Sequence, residues 1–563
     1  MISWRGSWDM RPYARFRKKK NSMHENNIKP GAEFNHSALY LDFLKRHERL
    51  EKYLYQRSPV EAAAGVRMSK MDRNVLCDVL EKQNKDFNSK PVAFAAIKRL
   101  RHPDTLCIFS GQQAGLYGGP LLTLYKAIDV IKRARKLEVE LKRPVVPVFW
   151  IACDDHDFEE INHTHGLNKD GEPVRLSYAP EGKFGVPVAD VCIKNEEKYE
   201  ELKRETENVF GGTDFSEELL QRLMTCYAFD EGLVRAFARH IADILPDLGL
   251  VFFCPHNEIV KMHSRDFFKQ LVERQFQIRE HLEETERSLM ADDYHIQAEK
   301  KKTAVHLFYH FPERMPIHYL DDSFVVGEKR LGLTALLDLI DKYPGRFSPD
   351  VLTRPIWQSF LFPVVAHTGG PAEIAYFCQI GKLFKLVGLS QPYYYSRVGA
   401  TLVEKRYEDF LGKYNINLSD LAGDVEQLIN RILAGSFPEK LERDIEAGRL
   451  KMEKEYTGLT DVIVDFDQSL SPMAEQTWGK IDFALKNLEK KIFSQHKKKM
   501  DNTRAQIYRL ANALYPDRTL QERMLNINYY ISKYGFGIVD YIIEKLDVET
   551  SDNQMIYLSQ YKA

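Results

Sequence analysis

Leu106–Ile131 reads LCIFSGQQAGLYGGPLLTLYKAIDVI. Leu106 to Phe109 is a short apolar run with the character of a buried strand. The loop SGQQAGLYGG follows, and a helix begins at Pro120 with Leu121, Leu124, Tyr125, Ile128 and Ile131 along one face. Proline suits a first helical turn, where its missing N–H would have no partner anyway. A glycine-rich passage from strand to helix lets backbone N–H groups approach an anion, and the helix dipole favours one there. Gly111, Gly115, Gly118 and Gly119 match neither GxGxxG nor GxxxxGK[ST]. The loop therefore has two readings: an anion or nucleotide cradle, or tight packing of helix against strand.

The next strand signal is Arg143–Asp157, RPVVPVFWIACDDHD. Val145 to Ile151 is continuously apolar, as a parallel strand covered on both faces must be. Strand, helix and strand at this spacing make one βαβ unit. At its end stand Asp154, Asp155, His156 and Asp157, where open α/β sheets bind ligands. Asp154 and His156 suit a ribose, an ammonium group or a metal; Asp157 alternatively caps a following helical turn. Leu248–Cys254 is a further strand, with Pro255, His256 and Asn257 at its tip.

Asp350 onward repeats the opening design. Leu361–Ala366 reads as a strand and His367-Thr368-Gly369-Gly370 as a loop, and Pro371 opens a helix carrying Glu373, Tyr376 and Phe377. Both glycine–proline turns would face one crevice of a parallel sheet. His367 fits a ligand contact or a satisfied core histidine, and Arg354 a substrate acid or a structural carboxylate. Gln391–Val398 forms another strand, ending in Ser396 and Arg397, a hydroxyl and a guanidinium suited to phosphate or to a surface ion pair.

The bulk numbers set bounds. A chain of 563 residues exceeds one core and calls for several domains. Its formal net charge of -1 offers no general attraction to nucleic acid or membrane, and no apolar run has the roughly 20 residues of a spanning helix. Seven scattered cysteines, without a CxxC, suit reduced thiols in a cytoplasm and argue against a zinc site. The segment 1–30 is polar and basic, a flexible tail without the apolar centre of a signal peptide.

Thr303–Gly327 alternates like short antiparallel strands, while Glu258 to Asp292 reads as one long amphipathic helix and Glu61–Leu100 as two helices. From Leu441 through Leu470, and again from Trp478 to Leu514, apolar residues step by threes, fours and sevens, as in an antiparallel coiled coil. Such an arm buries little against itself, which points to pairing with a second chain. Arg523, Asn526 and Asn528 are candidates to complete a ligand site beside that arm. The expected organisation is a Rossmann-like α/β core over 31–167, 233–257 and 346–400. It is interrupted by insertions over 168–232 and 258–345 and followed by a helical coiled-coil domain over 401–535 and a segment over 536–563 that packs on the core.

Five segments, FSGQQAGLYGGPLLTLYK, PVFWIACDDHDFEEIN, FSPDVLTRPIWQSFLFPVVAHTGGPAEIAYF, YYYSRVGATLVEKR and QERMLNINYYISKYG, occur in this order. Together they resemble the cysteine ligase family of bacillithiol biosynthesis (BshC), over nearly the whole chain from about Phe34. The resemblance implies a core similar to class I aminoacyl-tRNA synthetases, two insertions and a dimerising coiled coil. It also implies an activity, the joining of L-cysteine to glucosaminyl-malate in the last step of bacillithiol synthesis. ATP, or ADP as its remnant, would activate the carboxylate as an acyl-adenylate or acyl-phosphate, with Mg2+ as a candidate companion.

On that reading Gly111, Gln112, Gln113, Gly118, Gly119, Ser396 and Arg397 meet phosphates. Asp154, Asp155 and Asp157 hold amines or Mg2+, and His156 takes a proton. Arg354, His367, Thr368, Gly369, Gly370, Glu373 and Asn257 bind substrate. Where synthetases carry HIGH, this chain has Leu116-Tyr117-Gly118-Gly119. The alternative is a nucleotide-binding scaffold that recruits a partner enzyme through its coiled coil.

Overall fold

The computed structural model describes residues 29–31, 34, 36–66, 70–179, 185–434 and 439–562. The expected basic tail lies outside them apart from Lys29 and Pro30. The chain divides into two compact units. One comprises the chain up to Asn168, Pro173–Lys405 and Leu520–Ala563; the other comprises Lys169–Glu172 and Arg406–Thr519.

The first unit is built on a five-stranded parallel sheet: β1 (Leu106–Gln112), β2 (Val145–Ile151), β3 (Val251–Phe253), β4 (Val364–Gly369) and β5 (Tyr393–Ser396). All seven residues of β2 are buried, which is why it reads as an unbroken apolar run. The spatial order is β5-β4-β1-β2-β3. Helix α1 (Leu121–Leu141) returns the chain from β1 to β2, and β3 follows outward. The chain then crosses to the other side of β1 to lay down β4 and β5. The strand order thus reverses between β1 and β4, and the crevice outside their carboxyl ends is where this architecture receives ligands.

The two glycine–proline turns follow the carboxyl ends of β1 and β4, the second leading into helix α3 (Pro371–Gln379). Helix α2 (Arg354–Leu361) leads into β4. The strand expected over Leu361–Ala366 begins only at Val364. Leu361 still belongs to α2, and Pro363, which has no N–H to give, separates helix from strand. His367, Thr368 and Gly369 are therefore strand residues rather than loop.

The insertions hold a hairpin, His163–Leu167 with Pro173–Ser177, and a five-stranded antiparallel sheet that includes Ala304–His310, Arg314–Leu320 and Ser323–Val326. The single helix expected over 258–292 is three: Glu258–His263, Arg265–Glu273 and Gln275–Ala291. Ser264 marks the first break, its hydroxyl donating to the carbonyl of Val260 and accepting the indole N–H of Trp357, each at 2.7 Å. The region over 61–100 holds Arg73–Asp86 and Pro91–Leu100, preceded by Pro59–Gly65.

The chain rejoins the first unit at Leu520, earlier than the expected 536. Gln521 and Glu522 are buried there and serve the strand Gly399–Val403: Gln521 bridges both the N–H and the carbonyl of Leu402, and Glu522 accepts from Ala400 N. That strand pairs in parallel with Asn553–Tyr557, so the C-terminal segment does return to the core.

The second unit is helical. Its main feature is an antiparallel hairpin of Glu439–Phe466 and Ser471–Leu514, with Tyr456 stacked on Trp478 at 5.2 Å and Arg449 3.4 Å from Asp482. Several residues of the expected seam stay exposed in the single chain, among them Met452, Leu459, Phe466 and Leu488. No helix among the described residues is long and apolar enough to cross a membrane.

Candidate functional site

The end of β1 is fixed by a buried cation. Lys126, on α1, donates to the carbonyl of Gly111 at 2.9 Å and to Gln112 Oε1 at 3.0 Å, and it pairs with Glu373 at 2.9 Å. Glu373, in the first turn of α3, also accepts the N–H of Gly370 at 2.8 Å. Burial alone would raise the Glu373 carboxyl; Lys126 and the Gly370 N–H hold it below its ordinary range instead. The pair clasps the ends of β1 and β4 across the switch point. Gly111 is required there, because a Cβ would lie 2.6 Å from the carbonyl oxygen of Trp150.

Between the clasp and the insertion opens a cleft of about 690 Å³, within the usual range for small-molecule sites. Eleven of the predicted residues line it: Gly111, Gln112, Gln113, Asp155, Arg354, His367, Thr368, Gly370, Glu373, Arg397 and Arg523. Lys126, Gln358 and Tyr376 join them. Arg397 is buried and paired with Glu522 at 2.7 Å, and Glu373 is committed to Lys126. Arg354 donates to the Tyr376 hydroxyl at 3.1 Å, and among the described residues neither Arg354 nor Arg523 has an ion pair. The cleft thus presents two guanidinium groups outside any ion pair among the described residues, in a lining that also carries Asp155, Glu160, Glu299 and Glu373. Ser110, His367 and Thr368 add buried polar atoms (Oγ, Nε2 and Oγ1) that find no protein partner. Burial pushes the His367 imidazole down to about 3, so it is neutral at physiological pH.

The acidic quartet is split by its surroundings. Asp154 is buried, 2.7 Å from Lys261 Nζ and 3.0 Å from His256 Nδ1, and lies outside the main cleft. It is a structural anion rather than a free one. His256, for which burial alone would lower the pKa, is raised to about 10 by Asp154 and Asp190. Asp155 lines the cleft, accepting from Gln113 Nε2 at 3.2 Å and from its neighbour's backbone, His156 N, at 2.8 Å. Arg314 reaches its other side at 3.4 Å. Burial would raise Asp155, but Arg314 and that N–H keep it below the usual carboxylate range. His156 sits in an adjoining, smaller cavity with its Nδ1 3.2 Å from Arg314. Asp157 is exposed, lines neither cavity and begins no helix, so neither the ligand role nor the cap describes it.

Five further residues take other roles than expected. Gly118 and Gly119 do not line the cleft; Gly118 N donates to Gly115 O and the Tyr227 hydroxyl, and Gly119 N to Leu116 O. With φ of 86° and 70° they make a turn that packs against His240 and Thr123, the packing reading of this loop. Ser396 turns away to Tyr40, 2.6 Å from its hydroxyl. Asn257 caps the helix Glu258–His263 by accepting from Ile259 N and Val260 N. Gly369 gives its carbonyl to Arg397 N and lies against Glu373 and Phe377 without lining the cleft. Asn526 and Asn528 are buried and hold the first glycine turn, both donating to the Tyr117 carbonyl.

Lys126 and Arg314 were not assigned from sequence. Lys126 had a visible signal: it is the one charged residue between Leu121 and Ile128 on an otherwise apolar helix opening. Arg314 had none, since it reaches Asp155 and the smaller cavity only through the folding of an insertion. Among the described residues no group of three or more His, Cys, Asp and Glu side chains is arranged to hold a metal ion.

Comparisons with known proteins agree on one family. The family model "Bacillithiol biosynthesis BshC, N-terminal Rossmann-like domain" matches residues 23–398, and the corresponding C-terminal coiled-coil domain matches 400–558. A Salinibacter ruber protein named "Putative cysteine ligase BshC" is 30% identical over 508 residues, 89% of this chain and 92% of its own length. The protein of that name from Koribacter versatilis is 28% identical over 92% of this chain and 96% of its own. The one from Geobacillus thermodenitrificans is 30% identical over 83% and 87%. With both of its domains matched across the parallel-sheet core and the helical arm, the chain belongs to the BshC family.

Proposed function

We propose that this protein is a carbon–nitrogen ligase that joins L-cysteine, through its carboxyl group, to the amine of glucosaminyl-malate, the last step of bacillithiol synthesis. The observation that carries this reading is the cleft at the β1–β4 switch point, with Arg354 and Arg523 in no ion pair among the described residues beside a clasped Lys126–Glu373 pair. Both substrates carry carboxylates, and a nucleoside phosphate adds further negative charge. Guanidinium forks suit all of these groups.

Amide formation from a free carboxylate requires activation, which ATP would supply when bound. Arg523 is the group suited to hold its phosphates, with Arg397 behind it committed to Glu522 and Gln112 and Gln113 at the strand end for neutral contacts. Asp155, held below the usual carboxylate range, is the anion in the cleft suited to seat the ammonium group of the amino-acid substrate. His367, neutral, offers a hydrogen bond without adding charge. The protein works in the cytoplasm as a homodimer joined through the helical hairpin, whose exposed Met452, Leu459 and Phe466 favour a covering partner.

The test is direct. Purified protein is incubated with ATP, L-cysteine and glucosaminyl-malate, and the product is followed by mass. Product that depends on all three reactants and is lost in Arg354→Ala supports the ligase. No product from a folded preparation, with nucleotide binding retained, favours the scaffold.

A further inference from the structure

Beside the main cleft lies a second cavity of about 300 Å³. Trp150, Ala152, Asp155, Lys300, Val351 and Arg354 line both spaces, so the two are compartments of one site that meet at a neck. The far wall of the smaller one is aromatic, formed by Phe308 and Trp357. Arg314 lies 3.6 Å from the Phe308 ring centre, which holds that ring in place.

The charges at the neck can be accounted for one by one. Asp154 is committed to Lys261 and His256. Asp350 is committed to His306 and to the N–H groups of Leu352 and Thr353. Asp155 meets Arg314 at 3.4 Å through Oδ1, while its Oδ2 retains capacity, receiving only the Gln113 amide at 3.2 Å. Opposite in sign stand Arg354, which has no ion pair, and Lys300, 3.8 Å from Asp350. The neck therefore offers the open Oδ2 of Asp155, the Arg354 guanidinium and the Lys300 ammonium, which also leans on Asp350, in front of a recess that Phe308 and Trp357 line.

That arrangement is complementary to a small zwitterion with a soft side chain. We propose that the smaller compartment is the amino-acid subsite. The α-ammonium rests on Asp155, the carboxylate lies between Arg354 and Lys300, and the thiol lies against Phe308 and Trp357, because sulfur packs favourably on aromatic rings. Two constraints favour this over the reverse placement. The carboxyl carbon is the reacting atom and must face the other reactants, which the neck achieves. The recess has less than half the volume of the main cleft, and leaving the larger space empty suits the bulkier glycoside and nucleotide. The identity of the amino acid as cysteine rests on the ligase reading; the subsite itself does not.

Calorimetric titration of the full-length protein with L-cysteine under reductant, with and without glucosaminyl-malate, tests this. Asp155→Asn is expected to weaken cysteine about tenfold to a hundredfold, the usual effect of losing a charged hydrogen bond. Phe308→Leu weakens it by a smaller factor and reduces the preference for cysteine over serine. Neither change moves the affinity for glucosaminyl-malate, and in turnover only the KM for cysteine rises. Melting curves confirm that both variants are folded. Cysteine binding that is absent, or indifferent to both substitutions, or glucosaminyl-malate binding weakened equally, overturns the proposal. If cysteine binds through Asp155 and no amide forms, the subsite stands and the ligase reading falls. If amide forms while cysteine ignores both substitutions, the reverse holds.

Discussion

Replacing Lys126 by methionine removes the cation from a clasp in which all of its donors are used. The side chain is only 5% exposed, and its partner Glu373 would be left in the cleft wall with the Gly370 N–H as its remaining protein donor. Removing one member of a buried ion pair costs about 3–5 kcal/mol, because the other charge stays desolvated. The added loss of the contacts to Gly111 and Gln112 is partly offset by the methionine stem filling the same space. Urea denaturation, read as a change in midpoint at unchanged slope, measures the deficit. Adding Glu373→Gln to the first substitution should recover most of it, since a neutral pair in place of a buried ionic one is often nearly neutral in stability. The pH dependence has a definite sign. In the wild type the folded Glu373 pKa is depressed, so its contribution is present above the ordinary carboxyl range and is lost as the pH falls through its folded value. Without Lys126, burial raises that carboxyl and protonation relieves it, so the deficit shrinks on acidification. A deficit below about 1 kcal/mol, the scale of an exposed pair, or a double variant no better than the single one, would refute the clasp.

Arg354→Lys keeps the charge and loses the planar fork, and amide formation should fall roughly tenfold or more in kcat/KM; a wild-type rate would remove the fork from recognition. Asp157→Ala should leave the rate within about twofold, as for an exposed group away from the cleft, and a large loss would return Asp157 to the chemistry. Asn257→Ala should cost about 0.5–2 kcal/mol in unfolding with catalysis intact, the signature of a lost helix cap. His256, raised to about 10, contributes stability that is fully present below its unfolded pKa of 6.5 and is lost as pH rises through about 10. The stability gap between wild type and His256→Gln should therefore be widest below pH 6.5, narrow as the pH rises and close near pH 10, and a gap independent of pH would exclude the charged pair.

What the chain revealed in advance follows from how local each signal is. Val145–Ile151 was legible because a strand covered on both faces must be apolar throughout, and its bounds agree with the structure. The twin glycine–proline turns were legible as neighbours, since β1 and β4 pair in parallel. Their use was not legible. Whether Gly118 offers its N–H to a ligand is decided by the Tyr227 hydroxyl, which reaches it from a distant insertion. The same holds for Asp154, which is free in sequence and claimed by Lys261 in space. The helical period over 258–292 ran through Ser264 unbroken, because it records which face is buried and not where the axis turns.

The strand order has a consequence for synthesis. β1 is central in the finished sheet, yet one of its two neighbours, β4, is encoded beyond both insertions. As the chain leaves the ribosome, β1 can pair with β2 at once, while its other edge keeps its backbone donors and acceptors open until β4 arrives. An unpaired parallel edge of apolar residues is a template for wrong partners, and such non-local pairing is slow to form. The nascent protein thus passes through an interval in which its future ligand crevice is an exposed seam.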